Sequence, residues 1–464
     1  MQDKINKDKS ILEYCKYVAS KISLEKVDEY EVYGSGSIHN EIEVFNGSVE
    51  NLSFSDSKGI GIRVFKDGRM GYSYTSMLEE GKIKECIEKA IINSRITAKD
   101  NFNSLPKESE FKYNKNNFDR KVLFSEKFSK YSVENKIEIL KNLEIIAKKK
   151  DKRITNTNNL IYDDSLSEIA IINSTGFMDS FKSTSAIIYL NMISKEGSDT
   201  STGDYFGYER DPGKFNLEEI AENAVKRSVL ILSGKKIKSQ VIDIMLDPLV
   251  AVQFLNIIAS VITADVIQKG KSLFKDKIGE KVFSNDFNII DDGMFPYGMA
   301  SRPFDAEGVP KGKTIIFEKG ILKTYLYNAY TARKDNQLST GNAERASYKS
   351  PPDIGISNFY IEPSNITFEK LLESMDKGFY VIDIIGLHSG TNTISGQISI
   401  GAKGLMVDKG SLSFPVKEVT IATDILSFCK NISRIGKDVK FMPSGGGYVG
   451  SPSMLIKDIT ISGN

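Results

Sequence analysis

The most apolar stretch of the chain, residues 241–267, restricts the fold more than any other segment. Three aspartates and an asparagine interrupt it, whereas a membrane-spanning helix needs about 20 mostly apolar residues. Within it, Asp247-Pro248 is a typical helix start, with a capping side chain before a proline at the first helical position. We therefore predict a buried strand over residues 241–246 and a buried helix from Pro248 towards Ile267, with a core around them.

The length of the chain and a change in its pattern of predicted strands, helices and turns predict two domains. One hydrophobic core serves roughly 250–300 residues at most, and the chain has 464. Before residue 235, strand-like and helix-like segments come in runs, and after it buried-type strands alternate with glycine-rich turns. This pattern predicts an α+β fold. We expect an N-terminal α+β domain with antiparallel hairpins over residues 1–235 and a C-terminal β-rich domain over residues 236–464.

Local signals predict the elements of the N-terminal part. Asn46-Gly47 and Asp67-Gly68 are typical two-residue hairpin turns, and the segment from Ser76 to Glu79 has the pattern of a capping box that opens a helix. Apolar periodicity predicts further helices over residues 11–22, 133–150 and 216–232, and strands over residues 28–33, 41–45, 59–65, 69–75, 169–173 and 186–193. Residues 100–130 have weak periodicity, and we interpret them as a long surface excursion.

Net charge and histidine content exclude several classes of function. The chain has 62 Lys and Arg residues against 61 Asp and Glu residues, whereas proteins that bind nucleic acid usually have a basic surface. Nucleic acid is therefore not an expected partner. His39 and His388 are the only histidines, which excludes a zinc helix with two histidines and any histidine-rich metal site.

The cysteines and the amino terminus indicate a cytoplasmic protein. Cys15, Cys86 and Cys429 have no paired spacing, and each lies on the apolar side of a predicted helix. We interpret them as small buried hydrophobic residues in a reducing compartment. Residues 1–10 are polar and charged, unlike a signal peptide, and no segment is predicted to span a membrane.

Residues 301–310 combine an arginine and two carboxylates in a turn-rich stretch. Asp305 and Glu307 are candidates to orient a substrate or a water molecule, and Arg302 lies beside them in the sequence. The same carboxylates could instead accept backbone hydrogen bonds and keep the loop rigid, a role that such groups have more often in proteins. On composition alone, we favour this structural role.

Two later segments supply further candidates. Asn342 lies in residues 340–345, a polar stretch before Pro351-Pro352. His388 and Asn392 lie in residues 386–397, a polar segment after a predicted buried strand. Segments of this kind often position functional side chains. A surface histidine without a chemical role is the alternative for His388.

Eight segments, in this order along the chain, resemble the TldD/PmbA family, specifically its PmbA branch, which is also called TldE. They include Ser301-Arg302-Pro303-Phe304-Asp305 and Phe414-Pro415-Val416-Lys417-Glu418, and they cover residues 301–310, 330–334, 339–343, 358–363, 395–402, 414–422, 435–438 and 451–456. A weaker resemblance covers residues 10–95. The resemblance as a whole implies a cytosolic bacterial or archaeal protein of a peptidase family once labelled "modulator of DNA gyrase". The implied architecture is a two-domain α+β fold with a groove between protomers.

The resemblance also implies where a zinc site would be. TldD-type chains of the family have a His-Glu-x-x-x-His zinc helix, and PmbA-type chains without it pair with them. Asp265 and residues 269–274 set the register, which puts the metal-binding positions on Leu255, Asn256 and Ser260. Leu255 has no donor atom, Asn256 is no general base and Ser260 is a poor zinc ligand. We therefore expect no metal in this chain and zinc in a TldD-type partner.

Two further departures separate this chain from TldD-type relatives. The cysteine that such chains have near the carboxyl end is missing from the comparable residues 440–450. Gln397 follows Ser395-Gly396, where the family usually has an acidic residue. We therefore assign Gln397 no role that rests on an acidic side chain at this position.

The leading hypothesis is a PmbA-type member of a metallopeptidase family that takes part in proteolysis or peptide processing. It would be the zinc-less subunit, pairing with a TldD-type paralogue or with itself and contributing groove surface for unfolded peptides. Two alternatives stay open: a stand-alone peptidase with an irregular site of His388 with Asp305 or Glu307, and a non-catalytic peptide-binding homodimer. The residues expected to line the groove are Arg302, Asp305, Glu307, Asn342, His388 and Asn392.

Overall fold

The first half of the chain forms one antiparallel sheet covered by helices. The computed structural model describes residues 9–112, 118–284 and 287–463. The sheet has six strands in the order β3-β2-β1-β4-β5-β6. These strands are β1 Glu29–Phe45, β2 Ser48–Lys66, β3 Arg69–Thr75, β4 Ile154–Asn173, β5 Met178–Glu196 and β6 Asp199–Glu209. The helices of this half are α1 Ile11–Ile22, α2 Glu80–Ile96, α3 Glu108–Lys112, α4 Val133–Lys150 and α5 Leu217–Val229.

Both predicted hairpin turns are confirmed. Asn46 and Gly47 have φ angles of 49° and 73° and join β1 to β2, and Asp67 and Gly68, at 52° and 73°, join β2 to β3. Two successive residues with positive φ match the twist of the flanking strands, and Asn-Gly and Asp-Gly adopt this conformation at low cost. The prediction of separate strands over residues 28–33 and 41–45 is wrong, because β1 runs unbroken between them.

Glycines explain why β1 continues where the sequence suggests a turn. Gly34 and Gly36 lie within β1 and are paired on both sides, by β2 and by β4. A Cβ atom at Gly34 would lie 2.5 Å from the Ile11 side chain and 2.6 Å from Cys15 Sγ. These glycines therefore let α1 pack directly on the strand, and they do not end it.

Helices cover the sheet in two clusters. α1 and α2 pack against β1 to β4 with Val18, Ile22 and Ile83 in their core, and α4 and α5 pack against β4, β5 and β6 around Leu140 and Ala224. The predicted start of α2 at Ser76 is wrong. The helix begins at Glu80, after Thr75 accepts a hydrogen bond from the Met77 N–H and closes a separate turn.

The apolar segment forms the strand and helix that the sequence predicts, with an earlier end. β7 Gln240–Leu246 leads into α6 Pro248–Val261, and Asp247 caps the helix by accepting a hydrogen bond from the Leu249 N–H at 3.0 Å. The helix does not reach Ile267. The backbone of Leu326 pairs with Ile262 and Ala264, and α7 Ala264–Gln268 follows as a separate turn.

Two six-stranded sheets of residues 240–462 enclose α6. Their orders are β10-β9-β8-β13-β19-β18 and β16-β15-β14-β7-β20-β17. Besides β7, their strands are β8 Ile289–Asp292, β9 Lys313–Glu318, β10 Ile321–Leu322, β13 Asn358–Ile361, β14 Lys377–Ile385, β15 Gln397–Asp408, β16 Ser411–Asp424, β17 Ile432–Ile435, β18 Lys440–Ser444, β19 Gly447–Ser451 and β20 Met454–Ser462. A separate two-stranded sheet consists of β11 Ala343–Glu344 and β12 Asp353–Ile354. The remaining helices are α8 Ala329–Lys334, α9 Phe368–Glu373, α10 Leu387–Gly390 and α11 Ile425–Asn431.

The mixture of helices and mostly antiparallel strands confirms the predicted α+β class. The first sheet uses residues 29–209 and the later sheets use residues from 240 onward, while the proposed division near residue 235 stays a prediction. Cys15, Cys86 and Cys429 are buried and unpaired. No helix among the described residues is long and apolar enough to cross a lipid bilayer.

The segment interpreted as a surface excursion is partly internal. Leu105, Leu123 and Phe128 are buried, and Leu123 packs against Phe181 of the first sheet in a small cluster of its own. Residues 113–117 of this segment, and residues 1–8 of the polar amino terminus, lie outside the described residues.

The contact between β3 and α2 gives a first prediction. A Cβ atom at Gly71 would lie 1.9 Å from the Ala90 carbonyl oxygen and 2.4 Å from the Ser94 nitrogen. Because both atoms belong to helix backbone, Gly71→Ala must push α2 away from the sheet. We expect the free energy of unfolding to fall by about 1–3 kcal/mol in urea denaturation. Gly81→Ala is the control, since a Cβ atom there meets nothing within 4 Å; equal losses in both variants would contradict the packing argument.

Candidate functional site

A buried group of four charges joins the first sheet to the C-terminal half. Arg63 of β2 lies 2.8 Å from a Glu31 oxygen on β1 and 3.0 Å from a Glu307 oxygen in the later half. Arg345 pairs with the second Glu31 oxygen and stacks over the Tyr33 ring at 4.6 Å. At most 5% of each of these four side chains is exposed. We call this set the Arg63 cluster.

Backbone contacts fix the orientation of the Arg63 cluster. The second Glu307 oxygen accepts a hydrogen bond from the Ala329 N–H at 2.9 Å, at the first residue of α8. Arg345 donates to the carbonyl oxygens of Ala306 and Ser350, both at 3.3 Å. Each carboxylate therefore has a cationic partner and further hydrogen bonds, which is the condition for a buried ion pair to be tolerated.

A second ion-pair set continues from the Arg63 cluster through Glu344. Its two carboxylate oxygens accept from Arg302 at 2.8 Å and from Lys311 at 2.9 Å. Lys311 has 1% of its side chain exposed and also donates to the Ser357 hydroxyl at 2.8 Å. Arg302 was predicted to line a groove, and in the structure its guanidinium pairs with the Glu344 carboxylate of the same chain.

Asp305 and Asn342 hold the backbone of the neighbouring loops. Asp305 accepts hydrogen bonds from the N–H groups of Glu307, Val309 and Ala343, at 2.8, 2.9 and 3.0 Å. Asn342 donates to the Asp291 carboxylate at 2.7 Å. For Asp305 these contacts are backbone hydrogen bonds that hold the loop, which is the structural role favoured in the sequence analysis.

Burial makes the ionised forms of two of these carboxyl groups costly. Burial and the neighbouring Glu307 carboxylate raise the pKa of Asp305 to about 8, although Lys311 and backbone N–H donors act in the opposite direction. Burial likewise raises the pKa of Asp291, and Lys311 and the Asn342 amide oppose that effect. Desolvation of a carboxylate is the shared cause.

Beside the Arg63 cluster lies a cavity of about 420 Å³ between the two halves. Arg63 and Glu307 form part of its wall, and Tyr330 donates a hydrogen bond across it to Asp100 at 2.8 Å. The other lining side chains are a mixture of apolar and polar groups: Phe65, Met70, Ala98, Lys99, Asn103, Ser104, Asn328, Pro351 and Pro352. Of the six residues predicted to line a groove, Glu307 lines this cavity.

One face of the first sheet is lined with hydroxyl groups. Two rows of paired residues cross four strands, and directly paired residues lie on the same face of a sheet. The rows are Ser57–Ser37–Ser167–Ser183 and Ser55–His39–Ser165–Ser185. Ser165 and Ser185 lie 2.9 Å apart at their hydroxyl oxygens, and His39 Nε2 lies 2.6 Å from the Asp163 carboxylate in the next row. We call these eight residues the serine face.

The C-terminal half borders the serine face on two sides, and we call the surface between these contacts the groove. On one side, Tyr348 packs over Gly59 and Phe304 contacts Phe181 with ring centroids 5.3 Å apart. On the other side, Tyr208 of β6 contacts Tyr448 of β19 at 5.4 Å. The C-terminal half therefore touches this face of the sheet at both borders.

Sequence reasoning gave His39 no role, because its partners are distant along the chain. His39 and Asp163 are 124 positions apart and meet through the pairing of β1 with β4. The alternation of serine with apolar residues within each strand was the available signal. It shows that one face is polar, but the alignment of the serines across strands depends on register.

His388 and Asn392 lie apart from the other predicted residues. His388 is exposed in α10, and Asn392 is exposed in the turn before β15, where its side chain accepts from the Ile394 N–H at 3.0 Å. In the described part of the chain, no hydrogen bond or ion pair joins His388 to Asp305 or Glu307. Arg302, Asp305, Glu307 and Asn342 are brought together in the buried loops, and their assignment to a substrate groove stays a prediction.

The residues at the predicted zinc positions do not fit a zinc site. Leu255 is 1% exposed and packs in the main hydrophobic core. Asn256 accepts a hydrogen bond from the Ser444 hydroxyl of β18 at 2.5 Å, and the Ser260 hydroxyl donates to the Ile257 carbonyl at 2.7 Å. One side chain has no donor atom and the other two are engaged with protein groups, whereas zinc requires imidazole, thiolate or carboxylate ligands.

Sequence comparison places these features in a known family. The profile of the PmbA/TldA metallopeptidase C-terminal domain matches residues 239–463. The profiles of domain 1 and the central domain match residues 30–94 and 126–232. This chain belongs to the PmbA/TldD family. The match confirms the resemblance found in the sequence and makes the chain a member of a metallopeptidase family.

Relatives and solved structures of the PmbA/TldD family extend over the whole chain. A metalloprotease PmbA homolog of Buchnera aphidicola is 30% identical over 94% of this chain and 93% of its own length. Metalloprotease PmbA of Escherichia coli O157:H7 is 25% identical over 99% and 98%. A Thermotoga maritima structure described as a candidate modulator of a DNA gyrase superposes with a TM-score of 0.88, at 26% identity over 98% of this chain and all of that one.

The fold is also shared with TldE from Thermococcus kodakarensis. It superposes with a TM-score of 0.85, at 22% identity over 97% of this chain and 99% of that one. At this identity the likeness concerns the arrangement of helices and strands.

The Arg63 cluster gives a second prediction. Arg63→Met removes the cation between Glu31 and Glu307 and leaves buried carboxylates without that partner. We expect the free energy of unfolding to fall by about 3–5 kcal/mol in urea denaturation. Lys82→Met is the control, because Lys82 forms an exposed ion pair with Glu85 on α2 and should change stability little. A loss no larger than that of the control would show that the cluster does not hold the halves together.

The raised pKa of Asp305 gives a third prediction. Its folded-state pKa is about 8 against an ordinary value of 3.8, so the folded protein holds a proton that the unfolded chain releases between these values. The contribution of this group to stability therefore falls as pH rises from about 4 to about 8. We expect Asp305→Asn to have a shallower decline of unfolding free energy between pH 5 and pH 8 than the wild type. The exposed Asp376→Asn is the control, and equal slopes in all three proteins would contradict the assignment.

Proposed function

We propose that this chain is the zinc-less subunit of a cytosolic two-chain peptidase, and that it pairs with a TldD-type paralogue and contributes the surface that holds an unfolded peptide. The hydrolytic step would take place in the paralogue, where zinc supplies a Lewis acid and an activated water. The residues of this chain bind and orient the substrate in this proposal.

The single observation that carries the proposal is the position of Leu255 in α6. At 1% exposure it is part of the main core, where a TldD-type chain would need a zinc-binding imidazole. A metal ligand at that position requires an accessible nitrogen, sulfur or oxygen atom. Together with Asn256 and Ser260, which are hydrogen-bonded to protein groups, it supports a role other than metal-dependent hydrolysis for this chain.

The serine face supports the peptide-holding role. Its seven hydroxyl groups each both donate and accept hydrogen bonds, as the amide groups of an extended peptide do. The face lies between two contacts with the C-terminal half, and its residues belong to paired strands. Neutral hydroxyls bind backbone with little dependence on the peptide sequence, which suits a subunit that handles unfolded chains.

A cytosolic location is part of the same proposal. The three cysteines are unpaired and buried, as in proteins of a reducing compartment. Burial raises the pKa of the Cys15 and Cys429 thiols above their ordinary value, so neither is a reactive thiolate at neutral pH.

Zinc content and peptide cleavage test the proposal. We expect the purified chain to contain far less than one zinc per molecule in elemental analysis, and not to cleave an unfolded peptide by itself. Mixing it with a zinc-bearing paralogue from the same genome should form a complex and raise cleavage above that of the paralogue alone. The paralogue, purified in the same way, is the control for metal loss during preparation.

Other outcomes would identify the alternatives. One tightly bound zinc per chain would contradict the zinc-less assignment. Cleavage by the chain alone that is lost in His388→Ala would support a stand-alone site. Peptide binding without any gain in cleavage in the mixture would support a non-catalytic binding protein.

A further inference from the structure

A second cavity lies where β6 and α5 of the first half meet β18 and the start of α6. Its volume is about 230 Å³, and Glu209 of β6 forms part of its wall. We call it the Glu209 cavity. Typical small-molecule sites occupy about 300–1,000 Å³, so this cavity suits a single side chain better than a cofactor. It is separate from the cavity beside the Arg63 cluster and shares no lining residue with it.

Aromatic rings form much of the wall of the Glu209 cavity. They belong to Tyr205, Phe206, Tyr208, Phe215 and Phe441. Along β6, the ring centroids of Tyr205 and Phe206 are 6.0 Å apart and those of Phe206 and Tyr208 are 6.3 Å apart, and both pairs are stacked. The face of an aromatic ring carries negative partial charge and attracts a cation that lies over it. The wall therefore favours a cationic ligand over an anionic one.

The protein already places one ammonium group of its own against this wall. Lys440 Nζ lies 5.7 Å from the centroid of the Tyr205 ring and 3.1 Å from a Glu219 oxygen. The Tyr205 hydroxyl donates to the same oxygen at 3.4 Å. Ring, ammonium and carboxylate thus come together once within the chain, and this arrangement gives Glu219 its cationic partner.

Glu209 is a second carboxylate in the same wall, and it lacks such a partner. Within the described part of the chain, no side chain forms an ion pair or a hydrogen bond with its carboxylate. Burial raises the pKa of Glu209, although Lys214 acts in the opposite direction. A carboxylate that is partly removed from water gains more from a nearby cation than an exposed one does. Since Lys440 is the one cation that lines the cavity against two carboxylates, the lining has a net negative charge.

We propose that the Glu209 cavity binds a basic side chain of a peptide held by this chain, with the cationic group at Glu209 and the aliphatic stem along the aromatic rings. Arginine fits better than lysine, because its planar guanidinium stacks on rings and donates two hydrogen bonds to one carboxylate. The peptide as the source of the side chain rests on the function proposed above. Recognition of the cation itself does not.

Tyr208 connects the Glu209 cavity to the serine face. It lines the cavity and also contacts Tyr448 at the border of that face. Its partner on β5 is Ile187, which lies two residues from Ser185 of the serine face and therefore on the same side of the sheet. A peptide on the serine face would pass beside Tyr208, where a long side chain is needed to reach the cavity.

Matched peptides test the requirement for charge. The probe is a blocked seven-residue peptide of alanine and serine with one central arginine. The control peptide has citrulline in its place, which keeps the shape of the side chain and removes its charge. In isothermal titration calorimetry, we expect the wild-type chain to bind the arginine peptide at least tenfold more tightly than the citrulline peptide, because only the former offers a cation to Glu209 and the rings.

A neutral replacement of Glu209 tests the assigned partner. Glu209→Gln keeps the size of the side chain, and we expect it to reduce the preference for the arginine peptide to less than about twofold. Glu222→Gln is the matched control, because Glu222 is exposed on α5 and does not line the cavity; it should keep the full preference. Equal affinity of all three proteins for the citrulline peptide would show that the variants are folded.

A third probe, n-butylguanidinium, separates this inference from the proposed function. It has no peptide groups, and we expect it to bind the wild type and to bind Glu209→Gln at least tenfold more weakly. Equal affinity of the wild type for both peptides, or a preference that persists in Glu209→Gln, would overturn the cavity assignment and leave the peptide-holding role intact. Binding of n-butylguanidinium without binding of either peptide would overturn the peptide as the source of the cation, and with it the peptide-holding role.

Discussion

The ion pair between Arg63 and Glu307 is the constraint on which the arrangement of this protein depends. The two side chains come from different halves of the chain, and each is at least 95% buried. A carboxylate or guanidinium that is removed from water without a partner is strongly destabilising. Glu307 and Arg345 of the later half have their ionic partners, Arg63 and Glu31, in the first sheet. Apolar packing brings surfaces together at many angles, whereas this pair, with Glu31 and Arg345 beside it, selects one.

Local signals predicted the fold well where the cause of a structure lies within a few residues. Asn46-Gly47 and Asp67-Gly68 are turns because of their own backbone preferences, and Asp247-Pro248 starts α6 because it caps its own helix. Prediction was wrong in separating the strands over residues 28–33 and 41–45, because Gly34 and Gly36 between them continue β1 and make room for α1. It could not find the Arg63 cluster or the serine face, because their members are joined by strand register and by contact between distant segments. Within its own segment of the sequence, each member is one polar residue among others.

Helix α6 is held in the C-terminal half by hydrophobic packing. Its buried side chains are apolar around most of the helix, and they pack against strands of both C-terminal sheets. Hydrophobic burial alone therefore holds this helix in position. Asn256 and Ser260, the polar residues at the predicted zinc positions, bond to neighbouring protein groups.

The serine face and the core beneath it occupy alternate positions of the same strands. In β1, Ser37 and His39 face the groove, while Asn40 and Ile42 face the helices. A single inserted residue within β1 would exchange the two faces, sending hydroxyls into the core and aliphatic side chains into the groove. An insertion in the regular part of these strands therefore disturbs both faces at once, whereas a substitution changes one face alone. Insertions remain open at the hairpin turns, where residues 46–47 and 67–68 belong to neither face.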